Sequence, residues 1–185
     1  MSKIWFTGDT HFSSERTLEL SKRPFRSVEE MDKILIENWN SVVGENDTVY
    51  HLGDFGNYEI IKQLNGSINL IKGNYDRNDE ENLKQYEKYF NLIFNDTHNI
   101  ALKNWQEDCS FYYDINMGHE PSKVWRFNID ETNINLFGHI HKLCMIKQYG
   151  LNVGVDCHNF YPIDLETVLF YHNAILNHYD IEVFE

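Results

Sequence analysis

With 185 residues, 42% of them hydrophobic and 15% aromatic, the chain has the length for one compact domain, residues 1–185, and too little for two. A formal charge of -13, from 16 Lys and Arg against 29 Asp and Glu, argues against a broad basic surface for duplex DNA. Bound divalent ions would return positive charge to one spot, so an anionic substrate is still admissible.

Alternating strands and helices are predicted from the amino terminus. Ile4-Trp5-Phe6 is an apolar run cut off by Gly8-Asp9, which reads as a strand ending in a loop. Ser27 and Glu30 carry a capping-box signature, and Val28, Met31, Leu35, Trp39 and Val42 recur at three- and four-residue steps, so a helix of roughly four turns is expected. Thr48 to Leu52 forms a second strand stopped by Gly53-Asp54, and Ile68 to Lys72 a third stopped by Gly73-Asn74. Glu59 to Leu64 suits a short helix between them, which makes the second and third strands parallel. Asp79 to Phe90 reads as a charged helix with Leu83, Tyr86 and Phe90 on one side. Further strands are expected at Leu92 to Phe94, Ile100 to Leu102, Phe111 to Met117 and Ile134 to Phe137, and near Val153 and Val168. A three- or four-layer α/β domain follows, with functional loops outside the carboxyl ends of strands.

The cysteines Cys109, Cys144 and Cys157 are odd in number and form no Cys-x-x-Cys pair, which reads as three free thiols in a reducing compartment. The amino terminus lacks the apolar core of a secretory signal, and no apolar run approaches the ~20 residues of a membrane span. The expectation is a cytoplasmic protein with no membrane part.

Metal-competent side chains recur behind the glycines. Asp9-Thr10-His11 could be a plain turn on its own, as could Gly53-Asp54-Phe55-Gly56 or Gly73-Asn74-Tyr75-Asp76. Asn74 nevertheless offers a neutral oxygen at the strand-end position where the other loops offer a carboxylate. His119 follows the strand ending at Met117, and Gly138-His139-Ile140-His141 follows the one ending at Phe137. Two residues apart, His139 and His141 would share one side of an extended segment. His51, His98, His172 and His178 show no such pattern and read as core or surface residues. Seven carboxylate, imidazole and amide ligands suit Mn, Fe, Co, Ni or Zn, and exceed what one tetrahedral ion needs. Two ions sharing one carboxylate would use them all.

The ordered set Asp9-Thr10-His11, Gly53-Asp54, Gly73-Asn74-Tyr75-Asp76, His119 and Gly138-His139-Ile140-His141 resembles the motifs of the calcineurin-like metallophosphoesterase superfamily. Arg23-Pro24-Phe25, Asn40 and Asn152-Val153-Gly154-Val155-Asp156 extend the likeness toward small bacterial and phage members. The resemblance implies a β-sandwich flanked by helices, with the metal-binding loops at the carboxyl ends of the strands. It implies one metal on Asp9, His11, Asp54 and His141 and another on Asp54, Asn74, His119 and His139. The implied activity is phosphatase or phosphodiesterase chemistry, with attack by a bridging hydroxide at the two-metal centre. A small phosphate ester or nucleotide is the expected substrate. A catalytically weak metal-binding module and a nuclease are the alternatives.

Tyr75 departs from the motif, which has histidine there as the expected acid for the leaving oxygen. A phenol, with an unperturbed pKa near ~10, donates a hydrogen bond more readily than a proton. Either Tyr75 donates to the leaving group or a phosphoryl oxygen, or His158 or His11 supplies the proton, or only esters with good leaving groups react. Asp76 is expected to orient its neighbours or simply to make the turn. Arg16, Arg23 and Arg77 are candidate phosphate binders, Arg77 foremost because it follows the metal loop. Phe12, Tyr112, Tyr113, Phe160 and Tyr161 could stack on a base, with core packing the more ordinary role.

Overall fold

A computed structural model of the chain describes residues 2–103 and 112–180. Cys109, and Phe111 where the sixth strand was expected to begin, fall outside the described residues.

The first half follows the predicted alternation. β1 (Ile4–Thr7), β2 (Thr48–His51), β3 (Ser67–Ile71) and β4 (Leu92–Phe94) lie side by side, all parallel. The second half supplies β5 (Thr97–Lys103), β6 (Tyr112–Gly118), β7 (Asn133–Phe137), β8 (Ile146–Lys147) and β9 (Gly150–Asn152), in the order β5-β6-β7-β9-β8. In this second sheet β6, β7 and β9 are parallel, and antiparallel strands form both edges. A short β10 (Ile163–Asp164) returns to the first sheet and pairs antiparallel with β1.

Two short helices and one long one occupy the described chain up to Asn78: α1 (Glu15–Leu20), α2 (Val28–Val42) and α3 (Asn74–Asn78). The Ser27 hydroxyl caps α2 by accepting from the Glu30 N–H at 3.3 Å. The Glu30 carboxylate reaches the Arg26 N–H, one residue beyond the position a full capping box would use. The helix expected from Asp79 runs as α4 (Glu80–Tyr86) and then tightens into a 3-10 turn over Glu87–Tyr89. The short helix expected at Glu59 is likewise 3-10, over Tyr58–Gln63.

After α5 (Pro121–Val124), the last element is α6 (Leu165–His178), which corrects the strand expected near Val168. Asp164 caps it by accepting from the Thr167 N–H at 3.0 Å, and Val168, His172 and Ile175 bury one helical face.

Alternation along the strands makes two apolar cores. Trp5, Val49, Ile68 and Leu70 point to α2, where Met31, Leu35 and Trp39 meet them. Phe6, Leu52 and Ile71 point the other way and meet Ile115, Met117, Ile134 and Leu136 of the second sheet. Each such side chain contributes roughly 1.5–3 kcal/mol by leaving water. α6 packs on β9, β10 and β1 and closes one side of the core between the sheets. The two sheets and their flanking helices are the expected α/β sandwich.

The sheets also meet at their carboxyl ends. Gly8, just past β1, forms a parallel bridge with Gly154, just past β9. The Gly138 N–H donates to the His119 carbonyl at 2.9 Å. Every loop with a metal-competent side chain therefore opens on the same edge of the sandwich.

Candidate metal centre

Two triads form on this edge: Asp9, His11 and His141 are one, and Asp54, His119 and His139 the other, each with its ligand atoms within 4.8 Å of one another. Asp54 reaches across. Its Oδ2 lies 3.3 Å from His119 Nε2 and 3.5 Å from His11 Nε2. Asn74 Oδ1 lies 3.1 Å from both His119 Nε2 and His139 Nδ1, and those two nitrogens are 3.1 Å apart.

Backbone geometry builds this convergence. Asp9, His11, Asp54, His139 and His141 all have left-handed φ, from 47° to 72°. Side chains other than glycine pay for that conformation, and it clusters where function over-determines the backbone. His139 and His141 are therefore not two same-side residues of an extended strand. β7 stops at Phe137, the Ile140 N–H turns back to the Gly138 carbonyl at 2.8 Å, and each histidine serves a different triad.

Gly53 and Gly73 let the second and third loops touch. A Cβ on Gly53, at φ 88°, would stand 2.6 Å from Gly73 Cα and 2.7 Å from His119 Nδ1. Asp76 ties the same loops together. Its buried carboxylate accepts from the N–H groups of Asp54, Phe55 and Gly73 and from the Tyr58 hydroxyl, at 2.7 to 3.1 Å. Asp76 thus orients its neighbours and has no oxygen left for substrate.

The residues fit divalent cations. His11 Nε2 is buried with no hydrogen-bond partner, an expensive state for an imidazole nitrogen unless something else takes its lone pair. Three more atoms with lone pairs, on Asn74, His119 and His139, crowd together within 3.1 Å.

Charge in the metal-free protein tells the same story. Burial pushes Asp9 up to about 6, against the pull of His119 and His141. Burial pushes His11 down to about 3, so at neutral pH its imidazole is neutral and carries no acidic proton to give. Burial also opposes a charged His119, but the hydrogen bond to Asp54 and the charges of Asp9 and Asp54 outweigh it and raise His119 to about 9. Carboxylates and imidazoles at such odds are what a bound cation reconciles.

Hydrogen bonds behind the ligands aim two of the rings. His119 Nδ1 lies 2.7 Å from the Leu52 carbonyl, which leaves Nε2 for the centre. His141 Nδ1 lies 2.7 Å from Asp156 Oδ2. Asp156 in turn receives Arg23 through Nε at 2.9 Å and Nη2 at 2.8 Å. The remaining Arg23 bonds go to the carbonyls of Asp9 at 2.6 Å and Thr10 at 2.8 Å and to the Met31 sulfur at 3.4 Å.

Arg23 is therefore buried beneath the site, which corrects its expected role as a phosphate binder. Arg77 bonds the Lys72 carbonyl and Glu120, and Arg16 is exposed on α1. His158 gives Nε2 to the Asn152 carbonyl at 2.7 Å, and burial lowers its pKa, so it is no acid for a leaving group. Phe12 packs in the first core, with Phe160 against it. Tyr75 stands at the mouth of the site, 39% exposed, its ring perpendicular to that of His11 with centroids 4.9 Å apart.

Sequence reasoning missed the role of Asp156, although Gly154-Val155-Asp156 follows β9 as the other glycine-carboxylate pairs follow their strands. Asn152 was missed too: its side chain donates to the carbonyls of His141 and Cys144 and accepts from the Gly154 N–H. Cys144 and Cys157 are free, as expected.

Residues 3–155 match the calcineurin-like phosphoesterase superfamily domain, and the chain belongs to that family. Its members generally bind divalent metals, and metal-dependent phosphoester hydrolysis is the chemistry the family points to. An uncharacterized protein of Methanocaldococcus jannaschii, MJ1445, is 31% identical over 182 residues, covering 91% of this chain and 90% of its own. The gene 66 protein of Mycobacterium phage L5 is 27% identical, covering 84% and 87%. Among solved structures, a protein of unknown function from Aquifex aeolicus, AQ665, superposes with a TM-score of 0.65 at 22% identity, covering 91% of this chain and 98% of its own. That likeness is one of fold. Among the described residues no helix is long and apolar enough to cross a membrane.

Proposed function

We propose that the chain hydrolyses small phosphate monoesters or diesters with two divalent ions of the Mn, Fe, Co, Ni or Zn type. One ion would sit on Asp9, His11, Asp54 and His141, the other on Asp54, Asn74, His119 and His139. The observation that carries this reading is the position of the Asp54 carboxylate, within 3.5 Å of an imidazole nitrogen from each half of the cluster. When bound, the ions supply Lewis acidity toward the phosphoryl oxygens and an activated water.

The chain's own residues hold and orient. Asp156 and the Leu52 carbonyl fix the His141 and His119 rings, and Asp76 fixes the loop carrying Asp54. Tyr75 anchors through its backbone, whose N–H donates to Asp54 Oδ1 at 2.9 Å, and leaves its side chain at the mouth. With His11 and His158 unsuited to give a proton, esters whose leaving oxygen is stable as an anion should react best.

The test is turnover by stripped protein given back Mn, on a p-nitrophenyl ester and an alkyl ester of similar size. The aryl ester should react faster by at least about a hundredfold. Tyr75→His, which installs a donor of unperturbed pKa ~6.5, should narrow that gap. Equal rates on both esters in wild type would show that a full proton donor is present. No turnover of any ester with Mn, Ni or Zn would overturn the enzyme.

A further inference from the structure

The clefts on the two sides of Tyr75 differ in chemistry. On one side Ser13, Asn57, Asp79 and Asn82 line a cleft of about 330 Å³ together with the aromatic rings of Phe12 and Tyr58, with no aliphatic side chain among them. On the other a cleft of about 390 Å³ has His11, His139 and His141 on its floor and Leu20, Ile140 and Leu143 on its sides. Leu20 is 70% exposed and Leu143 is 86% exposed. They come from unrelated elements, the last turn of α1 and the 3-10 turn His141–Leu143, so neither exposure follows from the other. Exposed leucines are ordinary taken singly; what sets these two apart is that both line one cleft together with three of the candidate metal ligands.

Resting on the phosphoesterase reading, we propose that Leu20 and Leu143 form the walls of a subsite for the flat, apolar alcohol group of the substrate ester. Position supports this occupant. Three of the candidate ligands, His11, His139 and His141, line the cleft with the two leucines, so a phosphoryl group held there would have its ester substituent within the same cleft. The cleft, about 390 Å³ and open to solvent, has room for a ring system. Charge supports it too: Lys142 is the one Lys or Arg among the described residues lining this cleft, and the chain as a whole is strongly acidic. A single phosphate on an uncharged ring meets less repulsion than a polyanionic strand.

Direct binding separates the subsite from the chemistry. Phenylphosphonate and methylphosphonate carry the same anion on a carbon–phosphorus bond, so no leaving group enters the comparison. Calorimetric titration of each into the Mn-loaded chain, at a pH where both are dianions, should show phenylphosphonate binding about tenfold tighter, the order expected from covering both faces of a ring. Leu20→Ser and Leu143→Ser should each bring that ratio toward one. Phe170→Ser, at a site 69% exposed on α6 and outside the cleft, should leave it unchanged.

If both phosphonates bind wild type equally, the subsite is wrong while the anion site stands. If neither binds, the phosphoesterase reading falls and the subsite with it. Sedimentation of the three variants closes the remaining route. If the serine changes at 20 and 143 turn a dimer into a monomer without moving the ratio, the leucines cover a second copy of the chain and the proposal is overturned.

Discussion

The two halves of the candidate centre use similar ligands on different supports. Asp9, His11 and His141 rest on buried ions: Asp156 holds His141, and Arg23 holds Asp156 together with the carbonyls of Asp9 and Thr10. Asp54, Asn74, His119 and His139 have no such ion pair among the described residues: the buried Asp76 carboxylate gathers the N–H groups of Asp54, Phe55 and Gly73, the Leu52 carbonyl aims His119, and His139 is exposed. The ionic half is fixed from below by long-range contacts. The other half opens to solvent at His139 and is tied together by backbone N–H and carbonyl groups rather than by a guanidinium. A pair of sites built this way should respond differently to the same insult.

The harshest way to break the comparison is to remove what the halves share. Asp54→Ala should lose more metal than any other single ligand change and lower turnover by about a thousandfold or more. Elemental analysis of protein loaded with excess Mn reads this directly. If Asp54→Ala keeps two ions per chain, the shared carboxylate is wrong and the halves are independent sites.

The next test strikes the ionic half alone. Arg23→Met leaves the Asp156 carboxylate buried without its guanidinium, and loss of one partner from a buried pair costs about 3–5 kcal/mol. Asp156→Asn is the gentler change. It should weaken metal binding in the Asp9 half by about 10- to 100-fold while the Asp54 half fills as before. Competition with a chelator shows whether one ion or both become labile. Equal weakening of both would mean that the support is general scaffolding.

These supports mark the limit of what the sequence made legible. Short-range features were readable: the glycine-stopped strands, the helix behind Ser27, and the ordered set of seven side chains that the structure gathers on one edge. They depend on local periodicity and on residue types that few other roles explain. The Arg23–Asp156 pair spans 133 residues, and a lone arginine in Arg23-Pro24-Phe25 looks like any surface charge. Left-handed φ at five ligands was also hidden, because nothing in Asp9 or His141 announces the conformation its neighbours impose. Val168 misled for a simpler reason. Its apolar run suits strand or buried helix equally, and the Asp164 cap decided for helix.

The first loop carries a pH test of moderate size. His51 is fully buried beneath Thr10; the Thr10 hydroxyl donates to the Phe55 carbonyl, so His51 Nε2–H must be the donor across the 2.9 Å to Thr10. That leaves Nδ1 buried and unpaired, and burial pushes the His51 pKa down to about 3. The unfolded chain takes up this proton near pH 6.5 and the folded chain does not. The stabilisation is therefore complete above pH 6.5 and drains as pH falls toward 3. Between pH 7.5 and 5 the loss from His51 should be about 2 kcal/mol. His51→Phe in metal-free protein should flatten that part of the pH dependence of urea unfolding. An unchanged slope would put the acid lability elsewhere.

The smallest effect asks whether the open half is strained by its own backbone. His139 sits at φ 72° and is exposed, so its side chain can be cut back without opening a cavity. His139→Ala keeps a Cβ in the left-handed region, at roughly 1–2 kcal/mol, whereas His139→Gly releases it. Glycine also gains freedom in the unfolded chain, which offsets part of the relief by about 0.5–1 kcal/mol. The net expectation for metal-free protein is that His139→Gly melts higher than His139→Ala by about 2 °C. His98, in β5 with no left-handed φ, supplies the control: there the same pair should reverse order, because only the unfolded-state term remains. If glycine melts below alanine by the same margin at both positions, the loop of the open half is relaxed, and its geometry comes from packing against the first three loops rather than from a conformation held against its preference.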